Sequence, residues 1–198
     1  MICGLVLAAG TSSRLGRPKQ LLALGETTLL RAVVDTTLAS DLDEVVVVLG
    51  HASDEIAATL PPDPRLRIVR NHRFGEGQST SLRAGLLAMA QGTDAAVVLL
   101  GDQPGVTPAA ISVVIGEFHR TRAPVVQASY GNRPGHPTLL AAEVWPEAMR
   151  VTGDEGARAV IDAHRAERRL IEVGGDPPLD VDTEADYRRV RRAFEGHD

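Results

Sequence analysis

Two cations, Arg14 and Lys19, follow a stretch of small residues, Ala8-Ala9-Gly10-Thr11-Ser12-Ser13, and this pairing is suited to holding a polyphosphate. Small side chains let a ligand approach the backbone, and two spaced positive charges answer its negative charge. The stretch is not a P-loop, because Lys19 sits between Pro18 and Gln20 rather than in a Gly-Lys-Ser/Thr step. Nor is it a dinucleotide fingerprint, since only Gly10 and Gly16 are present. Further along, Asp102 follows the apolar run Leu99-Leu100-Gly101, where a carboxylate could anchor a hard divalent cation such as Mg²⁺ or close a turn. Asp180 and Asp182 alternate, so they point the same way if extended. Asp182 therefore has two readings, metal ligand or cap of the last helix. Gln78, Ser79 and Ser81, with Asn71 before them, form a polar loop opening a helix, suited either to capping or to binding phosphate or a base edge. His136 lies in the turn-like Gly135-His136-Pro137, and Arg158 follows Gly156-Ala157; either could face a second, phosphate-bearing substrate, and His136 could equally be structural.

These residues need a scaffold that brings them to one edge. Ile2 to Leu7 is a short aliphatic run ended by small residues, as expected of a buried strand, and Cys3 within it reads as a core residue. Further apolar strands are expected at Glu44–Gly50, Leu66–Val69, Asp94–Leu100 and Val125–Gln127. Between them lie helical patterns: one capped by Thr27 or Thr28, one capped by Ser53 and stopped before Pro61-Pro62, one opened by Ser79 or Thr80, and one started by Pro108. Such alternation predicts an α/β fold, a three-layer α/β/α sandwich around a mainly parallel Rossmann-like sheet, with ligands beyond the carboxyl ends of the strands. After Tyr130 the pattern predicts a glycine- and proline-rich loop through Pro137, short helices near 144–149 and 155–166, and a final helix over 183–194 whose arginines form a solvated face.

Composition narrows the classes. The 198 residues suit a single domain, and a 43% hydrophobic content supplies its core. A net charge of −5, with three Phe, two Tyr and one Trp, argues against polymeric nucleic acid as partner. The first apolar run is too short for a membrane span and lacks the flanks of a secretion signal, and a lone cysteine suits a reducing compartment, so the expectation is cytoplasmic, without membrane association.

The blocks Leu7-Ala8-Ala9-Gly10-x-Ser12-x-Arg14-x-Gly16-x-x-Lys19, Gly77-Gln78-Ser79-Thr80-Ser81, Gly101-Asp102-Gln103-Pro104, Gly135-His136-Pro137, Gly153–Arg158 and Asp180–Thr183 resemble, in order, those of the MobA-like nucleotidyltransferases, and most nearly the molybdenum cofactor cytidylyltransferase branch. The resemblance covers nearly all of residues 1–198 and implies the nucleotide-diphospho-sugar transferase type of fold. It implies nucleotide contacts from Leu7, Ala8, Ala9, Gly10, Arg14, Lys19, Gln78, Ser79, Ser81 and Asp102. Arg14, Lys19 and Asp102 would be catalytic, Mg²⁺ would sit on Asp102 and Asp182, and the acceptor would lie at His136 and Arg158. CTP would be joined to molybdopterin-bound molybdenum with release of pyrophosphate, for a molybdenum hydroxylase as recipient. Ala9, where guanylyl-transferring relatives usually carry glycine, and Gly135-His136-Pro137 speak for the cytidylyl branch. Guanylyl transfer, transfer to a sugar or polyol phosphate, and a non-catalytic nucleotide-binding accessory role are the alternatives.

Overall fold

The computed structural model describes residues 1–195. In chain order the elements are β1 (Ile2–Ala8), a small hairpin of β2 (Ala23–Leu24) and β3 (Thr27–Thr28), α1 (Leu29–Leu38), β4 (Glu44–Leu49), α2 (Ser53–Ala57), β5 (Leu66–Arg70), α3 (Gln78–Ala88), β6 (Ala95–Leu100), α4 (Pro108–Thr121), β7 (Val125–Tyr130), β8 (Arg133–Ala141), α5 (Trp145–Ala148), α6 (Gly156–Ala163), β9 (Arg169–Glu172) and α7 (Glu184–Glu195). Among the described residues no helix is long and apolar enough to cross a membrane.

Seven strands form one sheet in the order β5-β4-β1-β6-β8-β7-β9. β1 lies at its heart, with Val6 opposite Val47 of β4 on one side and Leu99 of β6 on the other, both pairings parallel. β1 is apolar on both faces because both are covered. Val6 and Ala8 pack with Leu30 and Val33 of α1 and Ile111 and Val114 of α4. Cys3 and Leu5 pack with Leu82 and Leu86 of α3 and Val160 and Ile161 of α6. The result is the α/β/α sandwich anticipated from the alternating pattern, and continuous aliphatic strands are what a doubly covered sheet requires.

Local signals set several helix starts. Thr28 caps α1 by accepting from the Arg31 N–H, and Thr107 caps α4 ahead of Pro108. Two expected caps are absent. α2 is preceded by Ala52 in the left-handed region, Ser53 is already helical, and its hydroxyl makes no capping bond. α3 likewise begins at Gln78 after Gly77, with Ser79 inside the first turn.

The expected loop through Pro137 is instead β8, the one antiparallel strand of the sheet, paired with both β6 and β7. The prolines fit because Thr138–Leu140 carry the double pairing, while the register breaks between Gln127 and Ala128 opposite His136 and Pro137. A bulge is one of the few places where a sheet accepts proline. β9, which the sequence pattern did not suggest, is a mostly exposed edge strand flanked by Arg169 and Glu172. α6 ends at Ala163 rather than Ala166. α7 packs Tyr187 and Val190 on Leu22, Leu24 and Leu29, and the Tyr187 hydroxyl donates to Ala23 O at 2.6 Å. Its four arginines, 188, 189, 191 and 192, are exposed, the solvated face expected of them.

Candidate functional site

The chain after β1 leaves the carboxyl end of the central strand and is shaped by its own side chains. Ser12 takes a positive φ of 55°, and its hydroxyl accepts the Lys19 N–H at 3.0 Å, tying the two ends of the loop together. Gln20, 2% exposed, donates from Nε2 to Ala8 O at 2.8 Å and to Gly10 O at 3.2 Å. With these carbonyls drawn away, Ala8, Ala9, Gly10 and Thr11 line a cleft of about 400 Å³ together with Leu7, Lys19 and Gln20.

Asp102 stands at the neighbouring strand end, one residue past Gly101, whose N–H donates to Leu7 O at 2.9 Å. A Cβ at Gly101 would come within 2.7 Å of the Ala8 side chain, so only glycine lets β6 pass this close to the loop. Lys19 Nζ donates to Asp102 Oδ2 at 2.5 Å and to Asp182 Oδ1 at 2.9 Å. Arg14, 75% exposed, reaches the same Asp182 carboxylate from outside at 3.8 Å. Burial works against the Lys19 cation, but Asp102 and Asp182 outweigh it and hold its pKa above the ordinary lysine value. Burial pushes the Asp102 carboxyl up, the Lys19 ammonium draws it back, and Asp180 and Asp182 add to the upward push. Two carboxylates thus meet at one half-buried ammonium, with Asp180 acting on Asp102 from behind.

Asp182 is free for this role because the last helix is capped by its neighbours. Thr183 Oγ1 accepts from the Asp186 N–H at 3.2 Å while Asp186 Oδ2 accepts from the Thr183 N–H at 2.9 Å, a reciprocal capping box. Asp102 and Asp182 converge on one cationic point, Lys19 Nζ. Among the described residues no third His, Cys, Asp or Glu completes a metal-holding group. A hard divalent ion fits this donor set, two carboxylates with phosphate oxygens and water filling the rest.

The opposite wall of the cleft is built by Phe74, Gly75, Gly77, Gln78 and Ser81. Asn71, 7% exposed, donates from Nδ2 to the hydroxyls of Thr80 and Ser81 at 2.8 and 2.9 Å, fixing Ser81 at the cleft. Ser79 is fully buried, its hydroxyl lacks a partner and it does not line the cleft, so the structure places it apart from the other two. Gly77, at φ +107°, abuts Gly153, where a Cβ would lie 2.4 Å from the backbone, and this seats Asp154 at the rim of the cleft.

A second cavity, of about 640 Å³, opens beside the first and shares Leu7, Gln78 and Leu100 with it. His136 and Arg158 both line it. His136 Nδ1 lies 3.2 Å from Val98 O, and burial holds its pKa below the ordinary histidine value. Gln103, Gln127, Arg168 and Asp180 line the same cavity. Gln103 belongs to the Gly101–Pro104 block, whereas Gln20 and Gln127 carry no motif of their own; their only sequence signal is an uncharged amide set against Lys19 or at the end of an aliphatic strand.

The chain is similar to known proteins along most of its length. The chain is 34% identical over 169 residues, 81% of each chain, to nicotine blue oxidoreductase from Paenarthrobacter nicotinovorans. It is 25% identical over 196 residues to molybdenum cofactor cytidylyltransferase from Escherichia coli (strain K12), covering 96% of this chain and 95% of that one. Among solved structures, the homolog of Mycobacterium tuberculosis Rv0371c from Mycobacterium sp. strain JC1 superposes with a TM-score of 0.89 at 36% identity, covering 100% and 98% of the two chains. Rv0371c of M. tuberculosis H37Rv in complex with manganese gives 0.82 at 33% identity, covering 97% and 98%. The MobA-like NTP transferase domain matches residues 4–168, the span from the central strand through the loop after it, Asp102, His136 and Arg158 to the edge of the last strand, and the chain belongs to that family.

Proposed function

We propose that this nucleotidyltransferase is a divalent-metal-dependent cytidylyltransferase that joins CTP to the phosphate of a molybdopterin-type acceptor and releases pyrophosphate. The carrying observation is that Lys19 Nζ is bonded to both Asp102 and Asp182 at the mouth of a cleft that shares a wall with a second cavity. That arrangement gives two substrates adjoining pockets with one charged centre beside them. CTP would lie along the loop from Ala8 to Thr11, its base against Ala9, Gln78 and Ser81, and the acceptor would lie by His136 and Arg158. An acceptor phosphate oxygen attacks the α-phosphorus in line; the bond from that phosphorus to the oxygen bridging to the β-phosphorus breaks, and pyrophosphate departs with its electron pair. An ionised phosphate needs no general base, so the chain's task is positioning and neutralising charge. Lys19 meets the charge that develops on the phosphate oxygens, and Arg14, exposed at the outer side of Asp182, meets the departing pyrophosphate.

Asp102 and Asp182 would hold the metal, Mg²⁺ in the cell. When bound, it neutralises phosphate oxygens in the way usual for such ions. The manganese in the related M. tuberculosis structure supports a divalent site, and the name of the E. coli relative supports cytidylyl transfer to a molybdenum cofactor, whose recipient in this proposal is a molybdenum hydroxylase. The cytoplasm suits both substrates. The test is pyrophosphate release with molybdopterin cofactor as acceptor and CTP, GTP, ATP or UTP as donor, with oxidation or reduction of nicotine blue followed as the control suggested by the Paenarthrobacter relative's name. Release with CTP well above that with GTP is the expected result; release with GTP alone moves the protein to guanylyl transfer.

A further inference from the structure

The second cavity contains two buried side-chain amides whose orientations are set by charged neighbours. Gln103, 7% exposed, donates from Nε2 to Asp180 Oδ1 at 2.7 Å. A carboxylate only accepts, so this contact fixes the amide nitrogen toward Asp180 and leaves Oε1 as the free group. That oxygen is buried and has no partner. Gln127, 8% exposed, is fixed in the opposite sense: Arg168 Nη1 donates to its Oε1 at 2.8 Å, and a guanidinium only donates, so the amide nitrogen of Gln127 is left as a donor. Both residues line the same cavity as His136. The His136 Nδ1 contact is with a carbonyl, which also only accepts; Nδ1 therefore carries the proton there, and Nε2 of the neutral ring is an acceptor.

A buried carbonyl oxygen without a partner is costly, and a ligand that supplies an N–H would satisfy it. The two amides together offer one fixed acceptor and one fixed donor. We infer that this cavity binds its substrate by the lactam edge of a planar heterocycle, the ring N–H donating to Gln103 Oε1 and the adjacent ring carbonyl accepting from Gln127 Nε2. Asp180 and Arg168 act behind these two as positioning residues. The inference rests on the second cavity being the acceptor site, and it adds which part of the acceptor is read and by which atoms. Specificity of this kind is strong, because an analogue lacking the N–H leaves the same oxygen unpaired.

The probes are pterin, whose pyrimidine ring carries a lactam edge, and 3-methylpterin, in which the lactam N–H is replaced by N–CH₃; binding of each to the purified protein is followed by quenching of pterin fluorescence, so no turnover is needed. Wild-type protein is expected to bind pterin saturably and 3-methylpterin at least about ten-fold more weakly. Gln103→Leu, checked for folding by its melting curve, should bring the two within about two-fold of each other, and Gln127→Leu should weaken both. If Gln103→Leu does not fold, the wild-type comparison of the two probes and the Gln127→Leu titration still decide. Equal binding of the two probes by wild-type protein, no saturable binding of pterin, or discrimination that survives Gln103→Leu overturns the inference. Loss of pyrophosphate release from CTP with probe discrimination intact would instead count against cytidylyl transfer and leave the lactam site standing.

Discussion

Lys19 Nζ lies 2.5 Å from Asp102 Oδ2, joining the loop after β1 to the end of β6 across 83 residues of chain. The contact is mostly shielded from solvent, with the two side chains 14% and 17% exposed. A charge-assisted bond in such a place is strong, and removing one member leaves the other charge partly buried and unpaired.

Lys19→Met should therefore lower kcat/KM by about 10²-fold or more, the usual cost of losing one preorganised charge at a phosphoryl centre. The sign of its pH dependence follows from the raised pKa: the cation is fully present below the unfolded-state value and is lost only as pH rises through the still higher folded-state value. The deficit of Lys19→Met against wild type should accordingly be constant from about pH 6 to about pH 9. Initial rates across that range are the measurement, and a deficit that vanishes within it removes the charged lysine from the chemistry.

Asp182 and Thr183 separate metal binding from helix capping. Thr183→Ala breaks the capping box with Asp186 and should cost about 1 kcal/mol of stability with metal affinity unchanged. Asp182→Asn should weaken Mn²⁺ binding in the presence of CTP at least about ten-fold while the melting temperature stays near that of wild type. Melting curves and Mn²⁺ titrations of the two variants check this; the reverse pattern would make Asp182 the cap and deny it the metal.

Gly77 joins the nucleotide wall to the Gly153–Arg158 block. At φ +107°, with a Cβ 2.4 Å from the Gly153 backbone, Gly77→Ala combines left-handed strain with a contact neither backbone can relieve. We expect a loss of about 1–3 kcal/mol in stability and a weakened affinity for CTP, since Asp154 and Gln78 are displaced together. Denaturant titration and CTP binding measure the two effects, and Gly85→Ala, whose Cβ would meet the Leu5 side chain in the core instead, is the comparison for a purely structural loss.

His136 gives the protein a pH-dependent stability. Burial depresses its pKa, so the native state binds fewer protons than the unfolded chain below about pH 6.5, and stability must fall as pH falls through that window. His136→Gln removes the group and should flatten the decline between about pH 6.5 and about pH 5. The same variant should impair acceptor use more than CTP binding, because His136 lines the second cavity and not the first. Melting temperatures at the two pH values, with CTP titrations beside them, check both statements.

The legible parts of the fold were those where one interaction dominates. β1, β4 and β6 are covered on both faces, and only aliphatic runs satisfy that, so they stand out from composition alone. β8 is hidden because Pro134, Gly135 and Pro137 carry the local signature of a turn; the bulge at Gln127/Ala128 that accommodates them exists only once β7 is beside them. β9 is hidden because an edge strand with Arg169 and Glu172 at its ends buries too little to leave a pattern. In the site, Lys19, Asp102 and Asp182 were each legible as chemistry, but their meeting is a tertiary fact spanning up to 163 residues. The capping box assigns the start of the last helix to Thr183 and Asp186, a pairing that only the structure shows. Ser79 stands apart for the opposite reason: helix phase turns it into the core while Gln78 and Ser81 face the cleft. The buried glutamines escaped notice because an amide gains its meaning from what fixes its orientation.

Cytidylyl transfer breaks the bond from the α-phosphorus to the oxygen that bridges it to the β-phosphorus. The most direct measurement incubates the protein with Mg²⁺, molybdopterin cofactor and CTP labelled with ³²P at either the α or the γ position, and follows where each label goes. Nucleotidyl transfer places the α label in the acceptor product and the γ label in pyrophosphate. A γ label in the acceptor or in inorganic phosphate, with the α label retained in CDP, would contradict it.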